Sequence, residues 1–160
     1  MVLAIDPGPE RSALVLYSPT LGLVEHYVAA NDWVNSYLHI YHAVDGDVLV
    51  VERIASMGMA VGAEVHETTF WSGRFVQTWR LRGRPCARIK RVDIKLALCG
   101  QTRAKGANVR QVLIDRFGGP AAVKKGGALY KVAGDAWSAL AVAVAYTDPA
   151  LAPEAIHETV

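Results

Sequence analysis

Two short apolar runs, Val2-Leu3-Ala4-Ile5 and Val48-Leu49-Val50-Val51, each end on a carboxylate, Asp6 and Glu52. Runs of four with β-branched content between polar segments read as buried strands. If the two strands are parallel neighbours, both acids emerge at the same edge of a sheet, where open α/β sheets carry their ligand sites. Two carboxylates held side by side repel unless a cation lies between them or one takes a proton. Hard anionic oxygens of this kind suit Mg²⁺ or Mn²⁺, so the pair is first read as a metal site.

The formal net charge of +2 hides a strong segregation. Fifteen of the 17 Lys and Arg residues lie between Arg74 and Lys131, with only Asp93 and Asp115 among them, so this segment carries a net +13. The stretch before it holds nine acids against Arg11 and Arg53, and the stretch after it holds four acids and no Lys or Arg. Such asymmetry fits a positive surface placed against a polyanion, with acids kept for other work; the plainer reading is a solvated helical face.

With 160 residues and 52% apolar composition, the chain is expected to form one domain, residues 1–160, with a proper core. Its longest apolar stretches fall far short of the ~20 residues that span a bilayer, and the N-terminus enters a strand without a basic leader. A soluble, cytoplasmic protein is expected, with Cys86 and Cys99 reduced and in no metal-ligand spacing.

Along the chain, Pro7-Gly8-Pro9 leads from Asp6 into the run Ala13–Tyr17, and Ser18-Pro19-Thr20 turns into Leu23–Val28, giving a three-stranded meander. Asn31-Asp32 can cap a helix to about Val44, followed by the strand to Glu52, a Gly- and Met-rich loop, and a helix from about Glu64 to Leu81. A strand over Cys86–Ile89 and helices near Val92–Leu98, Ala107–Phe117 and Asp135–Tyr146 complete the pattern. This order predicts an α/β fold with a mixed sheet of about five strands, an antiparallel meander first and parallel strands after, flanked by helices. A right-handed crossover returns the fourth strand beside the first, bringing Asp6 to Glu52.

Asp135 opens the almost wholly apolar helix Ala136-Trp137-Ser138-Ala139-Leu140-Ala141-Val142-Ala143-Val144. Taken alone it reads as an N-cap. Taken with Asp6 and Glu52 it reads as a third carboxylate, and three such acids can hold two cations ~3.5–4 Å apart, the two-metal arrangement of phosphodiester hydrolysis. One metal activates a water and the other stabilises the leaving oxygen.

The run Ala4-Ile5-Asp6-Pro7-Gly8, the strand Val50-Val51-Glu52 and the segment Asp135–Ala143 resemble the three catalytic motifs of the RuvC family of Holliday-junction resolvases. Between them, Ile89-Lys90-Arg91-Val92-Asp93-Ile94-Lys95, then Gly100, Ala104-Lys105 and Val109, resemble that family's basic stretch. The resemblance implies an RNase H-like fold, a homodimer, a bacterial or phage protein, two Mg²⁺ or Mn²⁺ ions per site, and paired nicks in four-way DNA junctions during recombination and repair. Asp6, Glu52 and Asp135 would be the metal ligands and catalytic acids. The family usually carries two ligands one helical turn apart before its small-residue run, and here Ser138 stands at the second position. Either Asp135 serves alone, or the helix is shifted and Asp135 takes the later role.

Phosphate contact is expected from Lys90, Arg91, Lys95, Arg103, Lys105 and Arg110. Family members can wedge a residue from the loop after the strand-four Glu into the junction centre, and this loop offers Met57 and Met59; a core or dimer contact is the alternative for both. Trp71, Phe75 and Trp79 recur every four residues and read as core or dimer interface. Two other functional classes stay open: a branched-DNA-binding protein without catalysis, and an RNase H-fold nuclease acting on flaps or RNA-containing substrates. A two-domain sugar-kinase or actin-like phosphate binder is excluded by length.

Overall fold

The computed structural model describes residues 1–54 and 62–148. Five strands, β1 (Val2–Asp6), β2 (Arg11–Ser18), β3 (Gly22–Ala30), β4 (Val48–Arg53) and β5 (Cys86–Lys90), form one sheet in the order β3-β2-β1-β4-β5. β1, β2 and β3 pair antiparallel, whereas β4 is parallel to both β1 and β5. The mixed sheet expected from the sequence is therefore formed. The helices are α1 (Asn31–Ile40), α2 (Ala63–Arg80), α3 (Arg91–Cys99), α4 (Gly106–Arg116) and α5 (Ala136–Tyr146), with a 3₁₀ turn at Gly119–Ala121.

Strand alternation divides the core in two. Leu3, Ile5, Leu49 and Val51 face α1 and α2, packing on Val34, Leu38, Phe75 and Trp79. Val2, Ala4, Val50, Ala87 and Ile89 face the opposite layer, where α5 lies across the sheet with α3 and α4 beside it. A helix apolar on every side must be buried on every side. Nine of the eleven α5 residues are buried, and its alanines allow close approach to β1 and β2. Phe75 and Trp79 are core residues, and the Trp79 indole donates to the Pro85 carbonyl at 2.8 Å.

Two local expectations are corrected. Asn31 does not cap α1: Ala30 holds the cap position, and Asn31 is buried with its side chain directed to β2 and the turn after β1. The first helix also stops at Ile40 rather than Val44, because the Arg82 guanidinium takes the carbonyls of Leu38 and Tyr41 near its end, and the Asp47 carboxylate accepts from the Val44 amide at 2.9 Å. Both groups satisfy the backbone without a further helical turn. Among the described residues, no helix is long and apolar enough to cross a membrane.

Candidate active site

The parallel register pairs Ile5 with Val51, so Asp6 and Glu52 follow at equivalent positions on adjacent strands. Both share the alternation of Ala4 and Val50, which places their side chains on the α5 side of the sheet.

The turn that carries the chain away from Asp6 is locked by side chains. The Gly8 amide donates to Ser12 Oγ at 3.2 Å, the Ser12 hydroxyl donates to Asn31 Oδ1 at 2.6 Å, and Asn31 Nδ2 donates to the Gly8 carbonyl at 3.0 Å. A Cβ on Gly8 would sit 2.3 Å from the Arg11 carbonyl oxygen, so only glycine fits this turn. Asp6 is thereby fixed at the end of a rigid strand and not on a free loop.

Asp135 precedes α5 and makes no side-chain cap hydrogen bond; its backbone carbonyl accepts from the amides of Ser138 and Ala139 at 2.9 and 3.1 Å. Its carboxylate is thus not consumed in capping. Burial, and then the charge of Glu52, push the Asp6 carboxyl up to about 7, against the pull of Arg91; Asp135 raises it further, and a hydrogen bond with the Ser138 side chain lowers it. Glu52, Arg91, Asp135 and Ser138 therefore all bear on the charge state of Asp6.

Glu52 is buried and accepts from Arg91 Nη1 through both oxygens, at 2.9 and 3.2 Å. Arg91 is the first residue of α3 and its side chain is half exposed. Burial works against its charge, but Glu52, then Asp6 and Asp135, outweigh that and raise its pKa. The locus so described holds three carboxylates, one hydroxyl and one guanidinium.

As donors, the carboxylates suit a hard divalent ion, and the raised Asp6 pKa reflects its burial first and the neighbouring charge of Glu52 second. Asp6, Glu52 and Asp135, with Ser138, are the residues that could hold it. Among the described residues, however, no three acidic, histidine or cysteine side chains close around a single point; Arg91 covers the two oxygens of Glu52. The set fits as donor chemistry and is not assembled as a closed cage.

Beside these acids runs a cleft lined by Glu52, Arg91, Lys95, Gly106, Arg110 and Ser138. The Arg110 guanidinium lies 4.8 Å from the centre of the Trp137 ring, which steers it over the mouth of the cleft. Of the expected phosphate contacts, Arg91, Lys95 and Arg110 thus line one cleft with Glu52. Lys105 precedes α4 next to Gly106, its backbone amide donating to Asn108 Oδ1 at 3.0 Å, and Arg103 is exposed just before it. Lys90 is placed otherwise. Alternation along β5 gives it the side of Cys86, which packs with the α1 and α2 layer, away from Glu52. Met57 and Met59 lie outside the described residues.

Two features went unread in the sequence. The Gly8, Ser12 and Asn31 lock joins residues far apart in the chain, and Asn before a helical pattern reads as a cap. The Arg91 contact to Glu52 follows from register: Glu52 pairs with Ile89, so a basic residue two positions beyond Ile89 can reach back over the strand end.

No protein-family model matches the chain, and no curated protein matches it by sequence. Solved structures do. A structure of Thermus thermophilus RuvC superposes with a TM-score of 0.68 at 18% identity, covering 93% of this chain and 94% of that one. A structure of T. thermophilus RuvC in complex with a Holliday junction substrate gives 0.71 at 16% identity, covering 97% and 96%. The chain therefore has the RuvC-type, RNase H-like fold, spanned over almost its whole length.

Proposed function

We propose that the protein is a divalent-metal-dependent endonuclease that resolves four-way DNA junctions in recombination and repair. The observation that carries this reading is that Asp6 and Glu52 end adjacent parallel strands on one face of the sheet, with burial first and then the charge of Glu52 pushing the Asp6 carboxyl up to about 7, and that Glu52 lines a cleft bearing Arg91, Lys95 and Arg110. The T. thermophilus protein of the same fold has been captured on a Holliday junction, which supports branched DNA as the substrate class.

In this reading Asp6, Glu52 and Asp135 hold Mg²⁺ or Mn²⁺, with Ser138 standing near Asp6 where the family carries a further ligand. When bound, such ions supply an activated water and neutralise charge at the phosphate. Lys95 and Arg110 position the backbone of the strand by charge, without reading sequence. The locked turn after β1 keeps Asp6 aligned, which matters because small misplacements of a catalytic group are costly. A homodimer would present two such sites to the two strands cut.

A second reading, junction binding without cleavage, is favoured by one observation: Arg91 bridges both Glu52 oxygens and the acids do not close into a cage. Incubation of a four-way junction, a flap, a duplex and an RNA–DNA hybrid with Mg²⁺ separates the two. Symmetric nicking of the junction supports the resolvase. Binding in EDTA with no nicking in Mg²⁺ or Mn²⁺ supports the binding protein, and preferential cutting of flap or hybrid reassigns the substrate.

A further inference from the structure

We infer that Arg91 is a built-in competitor for the divalent cation at Glu52, displaced when the ion binds and handed over to a DNA phosphate. This rests on the metal-site reading above and deepens it. Arg91 Nη1 reaches both oxygens of Glu52, which is the edge of a carboxylate that a divalent ion uses. Two cations cannot share that edge, since a guanidinium and a metal ion in contact on one carboxylate repel each other. Glu52 is nearly inaccessible at 7% side-chain exposure while Arg91 is 53% exposed, so the carboxylate is fixed and the guanidinium is the mobile partner. Its position at the first turn of α3 lets it swing without unpacking the core residues Ile94 and Leu98.

The direction of that swing is set by the same cleft. Arg91 lines it together with Lys95 and Arg110, so a phosphate entering there meets the guanidinium as Glu52 releases it. Arginine suits such an exchange because its planar donor fork binds carboxylate and phosphate alike and stays charged at any working pH. Binding free energies are reciprocal: a phosphate that draws Arg91 away tightens the hold on the cation, and the cation that displaces Arg91 tightens the hold on the phosphate by the same factor. Nucleic acid and metal would then be taken up together, which leaves Glu52 paired with Arg91 in the free protein.

The test is a direct Mn²⁺ titration by calorimetry on the full chain without DNA, comparing wild type, Arg91→Gln, Arg91→Lys and Asp6→Asn, each checked for folding by circular dichroism. Loss of a partly exposed ion pair is expected to tighten Mn²⁺ binding of Arg91→Gln about five-fold, while Arg91→Lys, which keeps the charge, stays near wild type. Repeating the titration with saturating short duplex DNA should tighten Mn²⁺ binding more in wild type than in Arg91→Gln. Should wild type bind Mn²⁺, Asp6→Asn lose it, and Arg91→Gln match wild type, the competition is overturned and the metal site stands. Arg91→Lys binding as tightly as Arg91→Gln likewise overturns it, because charge is then not the competitor. Equal tightening by DNA in wild type and Arg91→Gln removes the hand-over to phosphate. Absence of Mn²⁺ binding in both wild type and Arg91→Gln overturns the inference and the metal reading together.

Discussion

Arg91 holds Glu52 through both carboxylate oxygens at the point where β4 ends and α3 begins. This ion pair joins the two features that stood apart in the sequence, the acids at strand ends and the cationic segment, at one place on the sheet. Carboxylates held close together repel one another, and an adjacent guanidinium lowers the cost of keeping them there.

The most direct chemical consequence concerns Asp6. Asp6→Asn keeps the size of the side chain and removes its charge, so Mg²⁺-dependent nicking is expected to fall by at least ~10³-fold, the scale on which losing a principal catalytic group acts. Binding to a four-way junction, followed by gel shift in EDTA, should change less than about two-fold because the proposed phosphate contacts belong to other residues.

Asp6 also sets a pH dependence. Its folded pKa of about 7 lies above the ordinary 3.8, so between these values the native state binds more protons than the unfolded chain. Stability in EDTA should therefore fall as pH rises from about 4 to about 7 and level off above that, by on the order of 2 kcal/mol after allowing for partial exposure. Urea denaturation at several pH values should show this decline in wild type and a flatter profile in Asp6→Asn. Protons compete with metal for the same oxygens, so Mn²⁺ affinity should climb with pH up to about 7, by at most tenfold per unit.

The two faces of the sheet separate the basic residues. Charge reversal at Lys95 or Arg110, which line the cleft with Glu52, should weaken junction binding and reduce its salt slope by about one for each phosphate no longer neutralised. Lys90→Glu, on the side of Cys86, should change both far less. Fluorescence anisotropy across a salt series measures the slopes.

The lock behind Asp6 makes a structural prediction. Gly8→Ala forces a Cβ to within 2.3 Å of the Arg11 carbonyl, and Asn31→Ala leaves Ser12 and Gly8 without their buried partner. Each should cost about 1–3 kcal/mol in thermal or urea unfolding. Nicking should fall beyond what the reduced stability explains, because the turn carries Asp6.

Much of the fold was legible because short apolar runs ending on acids have few ways to be buried. The runs to Asp6 and Glu52 pair in parallel at the register that places both on one face, and α5, apolar except for Ser138 and the Tyr146 hydroxyl, covers that face. Interactions between distant segments were not legible. Asn31 in sequence resembles a cap, yet its partners are Ser12 and Gly8, and the end of α1 is decided by Arg82, some forty residues later. Lys90 and Arg91 look interchangeable as neighbours in a basic run. The passage from strand to helix between them sends one to the α2 side of the sheet and the other to Glu52. Ser138 was legible as a departure from the family's pattern, and it lines the cleft with Glu52 and lowers the Asp6 pKa, which gives that departure a place in the site.

The central claim is that Asp6, Glu52 and Asp135 act as one metal-dependent site beside a DNA-binding cleft. It is tested most directly by incubating the purified full chain with a synthetic four-way junction, with EDTA and then with Mg²⁺ or Mn²⁺, alongside Asp6→Asn, Glu52→Gln and Asp135→Asn. The account predicts paired nicks that require the metal and vanish in each variant while junction binding persists. Nicking that survives in any of the three, or that proceeds undiminished in EDTA, would contradict it.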